Sequence, residues 1–148
     1  MKKIFSVENN SRTLDAVLLI LRISVAVLML THGIPKLTNL LSDNPQFVGV
    51  LGMSPETSLA LAVFAEVVCS LLILVGFGTR LATIPLIITM IIAVFIIHAE
   101  DPFAKQEMGI HYLVAYIALL IAGSGRYSVD ALVTKNRAEL EPAGMKNK

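Results

Sequence analysis

Ser58 to Phe77 reads SLALAVFAEVVCSLLILVGF, 20 residues broken by one charge, Glu66. A run of about 20 apolar residues is the length that crosses a bilayer core as a helix. Further runs flank it. Residues 14–32 are broken only by Asp15 and Arg22, residues 81–98 carry no carboxylate, lysine or arginine, and residues 107–123 turn apolar from Ile110 after a polar opening turn. Pro85 stands early in the third run and is expected to bend it, which neighbouring helices tolerate in a membrane. The spans 14–32, 58–77, 81–98 and 107–123 predict an all-α membrane protein, an up-down bundle of four transmembrane helices within residues 14–126. Residues 1–13 are expected as an N-terminal tail, and residues 127–148 as an amphipathic helix and a loose tail.

The whole chain agrees with a lipid environment. Its 148 residues are 55% hydrophobic and 16% charged, with mean hydropathy +0.76. A soluble domain averages about 45–50% apolar and about 25% charged. A net charge of +1 leaves no basic footprint, so nucleic acid is not an expected partner. The lone Cys69 excludes a disulfide framework, a CxxC redox pair and a cysteine-rich metal site. The polar stretch after Lys2 and Lys3, and Arg22 inside the run, mark the first span as a retained helix rather than a cleaved leader.

Basic residues set the expected orientation. Lys2, Lys3, Arg12, Arg80, Arg126, Lys135, Arg137, Lys146 and Lys148 fall on one side of the four spans, and only Lys36 and Lys105 on the other. Lysine and arginine are retained on the cytoplasmic side, so both termini are expected in the cytoplasm. Gly76 to Arg80 reads as a tight turn, and Gly123-Ser124-Gly125 as a helix stop. Ser128 is placed to cap a helix over Val129 to Glu139. Asn44-Pro45 could open a short helix ending near Gly52 and Pro55.

Arg22 and Glu66 would each cost about 2.5–3.5 kcal/mol at mid-membrane. At a rise of about 1.5 Å per residue, Arg22 lies roughly 15 Å below the His32 boundary and Glu66 roughly 12 Å below Ser58. The two are therefore expected to form a buried ion pair. Such a pair could fix helix register or floor a ligand or proton site. His32, His98 and His111 stand at span ends on the same side as Lys36, and Tyr112 and Tyr116 share a helix stripe below His111. These groups serve either as interfacial hydrogen-bonders or as proton carriers beside a small redox ligand such as a quinone. Glu66, His32 and His98 are the candidate catalytic residues. Arg22, His32, Lys36, Glu66, His98, His111 and Tyr116 are the candidate ligand-binding residues. No HxxxH or ExxH spacing supports a metal site, and a haem between His32 and His98 is a weaker match than a quinone.

Three segments carry a family resemblance. They are Arg22 followed by Thr31-His32-Gly33-Ile34-Pro35-Lys36-Leu37; Ala65-Glu66 followed by Leu74-Val75-Gly76-Phe77-Gly78-Thr79-Arg80-Leu81-Ala82; and Gly123-Ser124-Gly125-Arg126-Tyr127-Ser128-Val129-Asp130. In order, they resemble the DoxX family of four-helix bacterial membrane proteins. Ser124 stands where that pattern often has proline. The resemblance implies an inner-membrane, multi-pass protein related to subunits of thiosulfate:quinone oxidoreductase and of redox or oxidative-stress complexes. It carries over Arg22, His32, Lys36 and Glu66, together with Gly33, Gly76, Arg80, Gly125, Arg126 and Asp130 as structural motif positions. The expected function is the membrane subunit of a quinone-linked oxidoreductase, whose electrons come from a partner subunit. The alternatives are a small-molecule transporter or carrier, and a non-catalytic membrane scaffold. The expected partners are the lipid bilayer, oxidoreductase subunits and a second copy of the chain.

Overall fold

The computed structural model describes residues 11–140 and contains no strand among them. The expected tail residues 1–10 and 141–148, with Lys2, Lys3, Lys146 and Lys148, lie outside the described residues. The helices are α1 (Ser11–Leu40), α2 (Pro55–Val75), α3 (Thr79–Ile97), α4 (Phe103–Ala122) and α5 (Val129–Leu140). α1 packs on α2, α2 on α3, α3 on α4, and α4 back on α1, so the four long helices close a square. One end carries the start of α1, the Gly76–Gly78 turn and α5, and is called the turn end. The opposite loop end carries residues 41–54 and 98–102.

Side-chain distribution places this bundle in a membrane. α1, α2 and α3 are each long and apolar enough to cross, yet only 28%, 50% and 28% of their most apolar windows are buried. Ile20, Leu28, Phe64, Leu81, Ile88 and Phe95 face outward, whereas Arg22, Glu66, Ser70, Thr79 and Thr83 are buried. Water would penalise that exterior, and hydrocarbon accepts it. α4 has 20 residues, but Lys105 and Glu107 occupy its first turns.

The first span differs from expectation. α1 does not stop at His32 but continues eight residues further to Leu40, through Gly33 and Pro35. Pro35 removes one backbone donor, and close packing on α2 holds the helix across the gap. That packing needs glycine at 33, where a Cβ would meet Val67 Cγ2 at 2.8 Å and the Glu66 backbone carbon at 3.0 Å. The expected helix from Asn44-Pro45 does not form; residues 45–50 have no regular structure. Asn39 at the end of α1 holds that segment instead, donating to the Gln46 carbonyl at 2.7 Å and accepting from the Gln46 amide at 3.1 Å. Those bonds use the backbone groups that a helix would need.

Two π-helical turns interrupt the regular helices, Phe64–Cys69 in α2 and Ala93–Ile97 at the end of α3. Such turns insert a residue, rotate the faces beyond it, and gather at functional sites. Here one holds Glu66 and the other runs into His98.

The turn end is a polar clasp. Arg22 is buried and its Nη2 donates to the Tyr127 carbonyl at 2.5 Å. Asp130 accepts from the amides of Gly78 at 2.8 Å and Thr79 at 3.3 Å, capping the start of α3, and its own amide donates to the Gly76 carbonyl at 2.9 Å. Arg80 Nη2 donates to the Ile121 carbonyl at 3.1 Å, and the Arg126 amide donates to Asp15 Oδ1 at 2.9 Å. Ser128 Oγ accepts from the Ala131 amide at 3.2 Å, the cap of α5. Five of the motif positions, Gly76, Arg80, Gly125, Arg126 and Asp130, therefore lie at this end, where the bonds of Asp130 to Gly76, Gly78 and Thr79 tie α5 to the bundle.

Gly76 carries the tightest demand, with φ at +74° and a Cβ that would land on Arg22 Nη1 and lie 2.6 Å from Ser128 Cβ. Gly76→Ala is expected to cost about 1–3 kcal/mol in backbone strain, and more through displacement of Arg22. Gly52, at φ +78° with open space around it, is the control. A fall in the Tm of the detergent-solubilised protein no greater than that of Gly52→Ala would contradict this account.

Candidate functional site

The extension of α1 decides the site. It carries Lys36 past Gly33 and over the π turn of α2, where Lys36 Nζ meets Glu66 Oε1 at 2.5 Å. The Glu66 side chain is 2% exposed and that of Lys36 33%. Lys36 thus takes the place expected of Arg22. Because Gly33 lies against the Glu66 backbone, Glu66 is level with position 33 of α1. Arg22 sits eleven residues toward the turn end, roughly 16 Å away at the helical rise. The expected Arg22–Glu66 pair rested on α1 ending at His32 and sharing a boundary with Ser58; the helix runs on, and the depths no longer match. Arg22 belongs to the clasp and not to the floor of this site.

Two spaces meet at the Lys36–Glu66 pair. The larger has a volume of about 610 Å³ and lies between α2, α3 and the 41–54 loop. Its walls are apolar except for Lys36, Ser58, Glu66, Thr89 and His98. The loop is drawn over its end by the Val50 amide donating to Ser58 Oγ at 3.1 Å, and Phe47 places its ring 6.0 Å from Lys36 Nζ. The smaller space, about 130 Å³, lies on the side of α1, α3 and α4. Lys36, Glu66, Ala93 and His98 line both.

His32, Lys105 and Tyr112 line the smaller cleft. The His32 and Tyr112 rings meet edge to face with centroids 6.0 Å apart. Tyr116 is fully buried, stacked behind Tyr112 at 6.1 Å, and lines neither space. At the cleft mouth Asp101 bridges His98 Nδ1 at 2.7 Å and Lys105 Nζ at 3.1 Å, while Gln106 Nε2 donates to the His98 carbonyl at 2.7 Å. His111 is exposed on α4, with Nδ1 2.8 Å from the Glu107 carbonyl, and lines neither space. The structure therefore gathers Glu66, Lys36, His32 and His98, and leaves Arg22 and His111 elsewhere. Tyr112 is the tyrosine that faces the cleft, and its four-residue spacing from Tyr116 was the available signal. Phe47, Ser58 and Thr89 had none, because loop docking and helix rotation place them. Among the described residues no group of three or more His, Cys, Asp or Glu is arranged to hold a metal ion.

The hydrogen bonds from His98 and Lys105 hold the Asp101 carboxyl below its usual range. A lowered carboxylate stabilises the fold above the ordinary carboxylate range, and that contribution is lost as the pH falls through the folded value. Amides 98–106 are thus expected to lose hydrogen-exchange protection in acid, and Asp101→Asn to remove that pH dependence. Equal acid sensitivity in the variant would contradict it.

Residues 17–99 match the family model of DoxX. The chain is also 25% identical over 120 residues to "Putative oxidoreductase CatD" of Bacillus subtilis (strain 168), an alignment covering 80% of this chain and 88% of that protein. No solved structure matches it.

Proposed function

Because the chain belongs to the DoxX family, matched over residues 17–99, we propose that it is the membrane subunit of a quinone-linked oxidoreductase of the cell inner membrane. In this reading α4 is the fourth span and both termini are cytoplasmic. Its 20 residues rise about 30 Å, the thickness of the hydrocarbon core.

One observation carries the reading: a cavity of about 610 Å³ that is apolar along its walls and ends on the Lys36–Glu66 pair. Ligand sites commonly have volumes of about 300–1,000 Å³, with a few placed polar groups. The rim residues Leu61, Phe64 and Ile88 are exposed on the apolar faces of α2 and α3, so a lipid-dissolved ligand has a way in. A quinone matches such a space, with flat apolar faces and oxygens at its edge. Lys36 Nζ would donate to one oxygen and stabilise the negative charge that develops there on reduction. Glu66 Oε2 is buried with no hydrogen-bond partner among the described residues and is available to hold a proton. Quinone becomes quinol by taking up two electrons and two protons. The electrons would come from a reduced partner subunit, in keeping with the word oxidoreductase in the name of the Bacillus relative.

The test is a titration of the full chain in lipid nanodiscs with decylubiquinone. Saturable binding is expected, and Ala62→Phe, which fills the cavity from its wall, is expected to abolish it. Absence of saturable binding to the wild-type chain, with and without co-purifying subunits, overturns the reading. Solute flux across liposomes would then favour the carrier alternative.

A further inference from the structure

The Lys36–Glu66 pair is reached from two sides of different chemistry. The apolar cavity meets it from the gap between α2 and α3. The 130 Å³ cleft meets it from the opposite side, and six of its lining residues are polar: His32, Lys36, Glu66, His98, Lys105 and Tyr112. The cleft opens at the loop end, where the Lys105 side chain is 63% exposed and His32 is exposed. A polar space of this size holds several waters, each with partners to bond. Asp101 fixes His98 and Lys105 at the mouth, and His98 lines both spaces. Inside, Glu66 offers an oxygen that no described group satisfies.

We infer that this cleft is a water-filled proton inlet, which connects the aqueous phase at the loop end to Glu66 while a quinone occupies the apolar cavity. The inference rests on the quinone reading and adds the route of its protons. For each proton passed through Glu66, its carboxyl O–H bond breaks as the quinone O–H bond forms. The carboxylate left behind is held by Lys36 and regains its proton from a cleft water, which the bulk replenishes. Two such transfers accompany the two electrons from the reduced partner. Lys36 and His32 on α1, His98 after α3, and Lys105 and Tyr112 on α4, with Tyr116 behind Tyr112, are the titratable groups of the cleft around Glu66. Among them His98 is the relay, because it lines both spaces and Asp101 holds its Nδ1 at the mouth. Two entrances explain why a single buried carboxylate is shared by two cavities. The ligand needs a dry approach, and its proton needs a wet one.

Two measurements on the full chain in proteoliposomes test the inlet. In a Cys69→Ala background, His32→Cys and Met108→Cys in the cleft are expected to react with a charged, membrane-impermeant thiol reagent. Ala62→Cys and Thr89→Cys in the cavity are expected to react only with a lipid-soluble maleimide. The second is the infrared C=O band of protonated Glu66, assigned by its loss in Glu66→Gln and followed after a pH jump without quinone. Met108→Trp, which fills the cleft mouth, is expected to slow that band on the order of 10²-fold, the scale of a lost proton-transfer group. Met108→Leu is expected to leave the rate unchanged and so separates blockage from misfolding. Ala62→Phe should keep the infrared rate while losing quinone binding. Cleft cysteines inert to the charged reagent, or an unslowed band in Met108→Trp, overturn the inlet even where quinone binds. An open cleft in a chain that binds no quinone overturns the quinone reading and ends the inlet's role in reduction.

Discussion

Lys36→Met is expected to destabilise the bundle by about 3–5 kcal/mol, the range for stripping one partner from a buried ion pair. The loss is one-sided. Glu66 is 2% exposed on a short side chain that cannot turn out to the bulk, whereas the Lys36 side chain is 33% exposed on a flexible stem. Glu66→Gln should therefore cost less, because the freed ammonium can swing into the cleft. Lys36→Met combined with Glu66→Leu should recover most of the loss, since no charge is then left buried. Unfolding in mixed micelles measures all three. Equal costs for the two single changes would mean that the burial difference does not govern the pair. Decylubiquinone binding should be lost in every one of them, because each removes the polar end of the cavity.

Arg22→Leu is expected to have the second large effect, and at the other end of the molecule. It removes the charged donor to the Tyr127 carbonyl and the positive charge facing Asp130. Hydrogen bonds to charged groups contribute about 1.5–3 kcal/mol each. The expected signature is local: amides 128–136 lose exchange protection as α5 detaches, while quinone binding at the loop end persists. Combined with Glu66→Leu the effects should add within about 0.5 kcal/mol, as for distant sites. A coupling of several times that size would return Arg22 to the Glu66 site and contradict the separation found here.

The turn end was legible as local chemistry, and its geometry explains why. Gly76, Gly123 and Gly125 all have positive φ, which glycine adopts freely, and Ser128 caps the residue three positions on. Such features depend on neighbours in sequence. What Asp130 and Arg22 bind did not follow, because Asp130 contacts amides some fifty residues away and Arg22 a carbonyl more than a hundred away. At the loop end, the candidate residues Lys36, Glu66, His32 and His98 were legible as polar groups in or beside apolar runs. Their pairing was not, because the first apolar run stops at His32 whereas α1 runs on through Gly33 and Pro35 to Leu40.

By itself the sequence determined the membrane class, the helical content, the turns and the polar residues that must be sheltered from lipid. These follow from composition, from runs of about 20 apolar residues and from local backbone preferences. Only the tertiary structure decided that Glu66 faces Lys36 and not Arg22, that Tyr112 and not Tyr116 meets the cleft, and that the 41–54 loop closes the cavity. Each of these depends on how far one helix slides and turns against the next. The close contact at Gly33 and the π turn at Phe64–Cys69 set that slide and turn, and neither is encoded in the periodicity of a single helix.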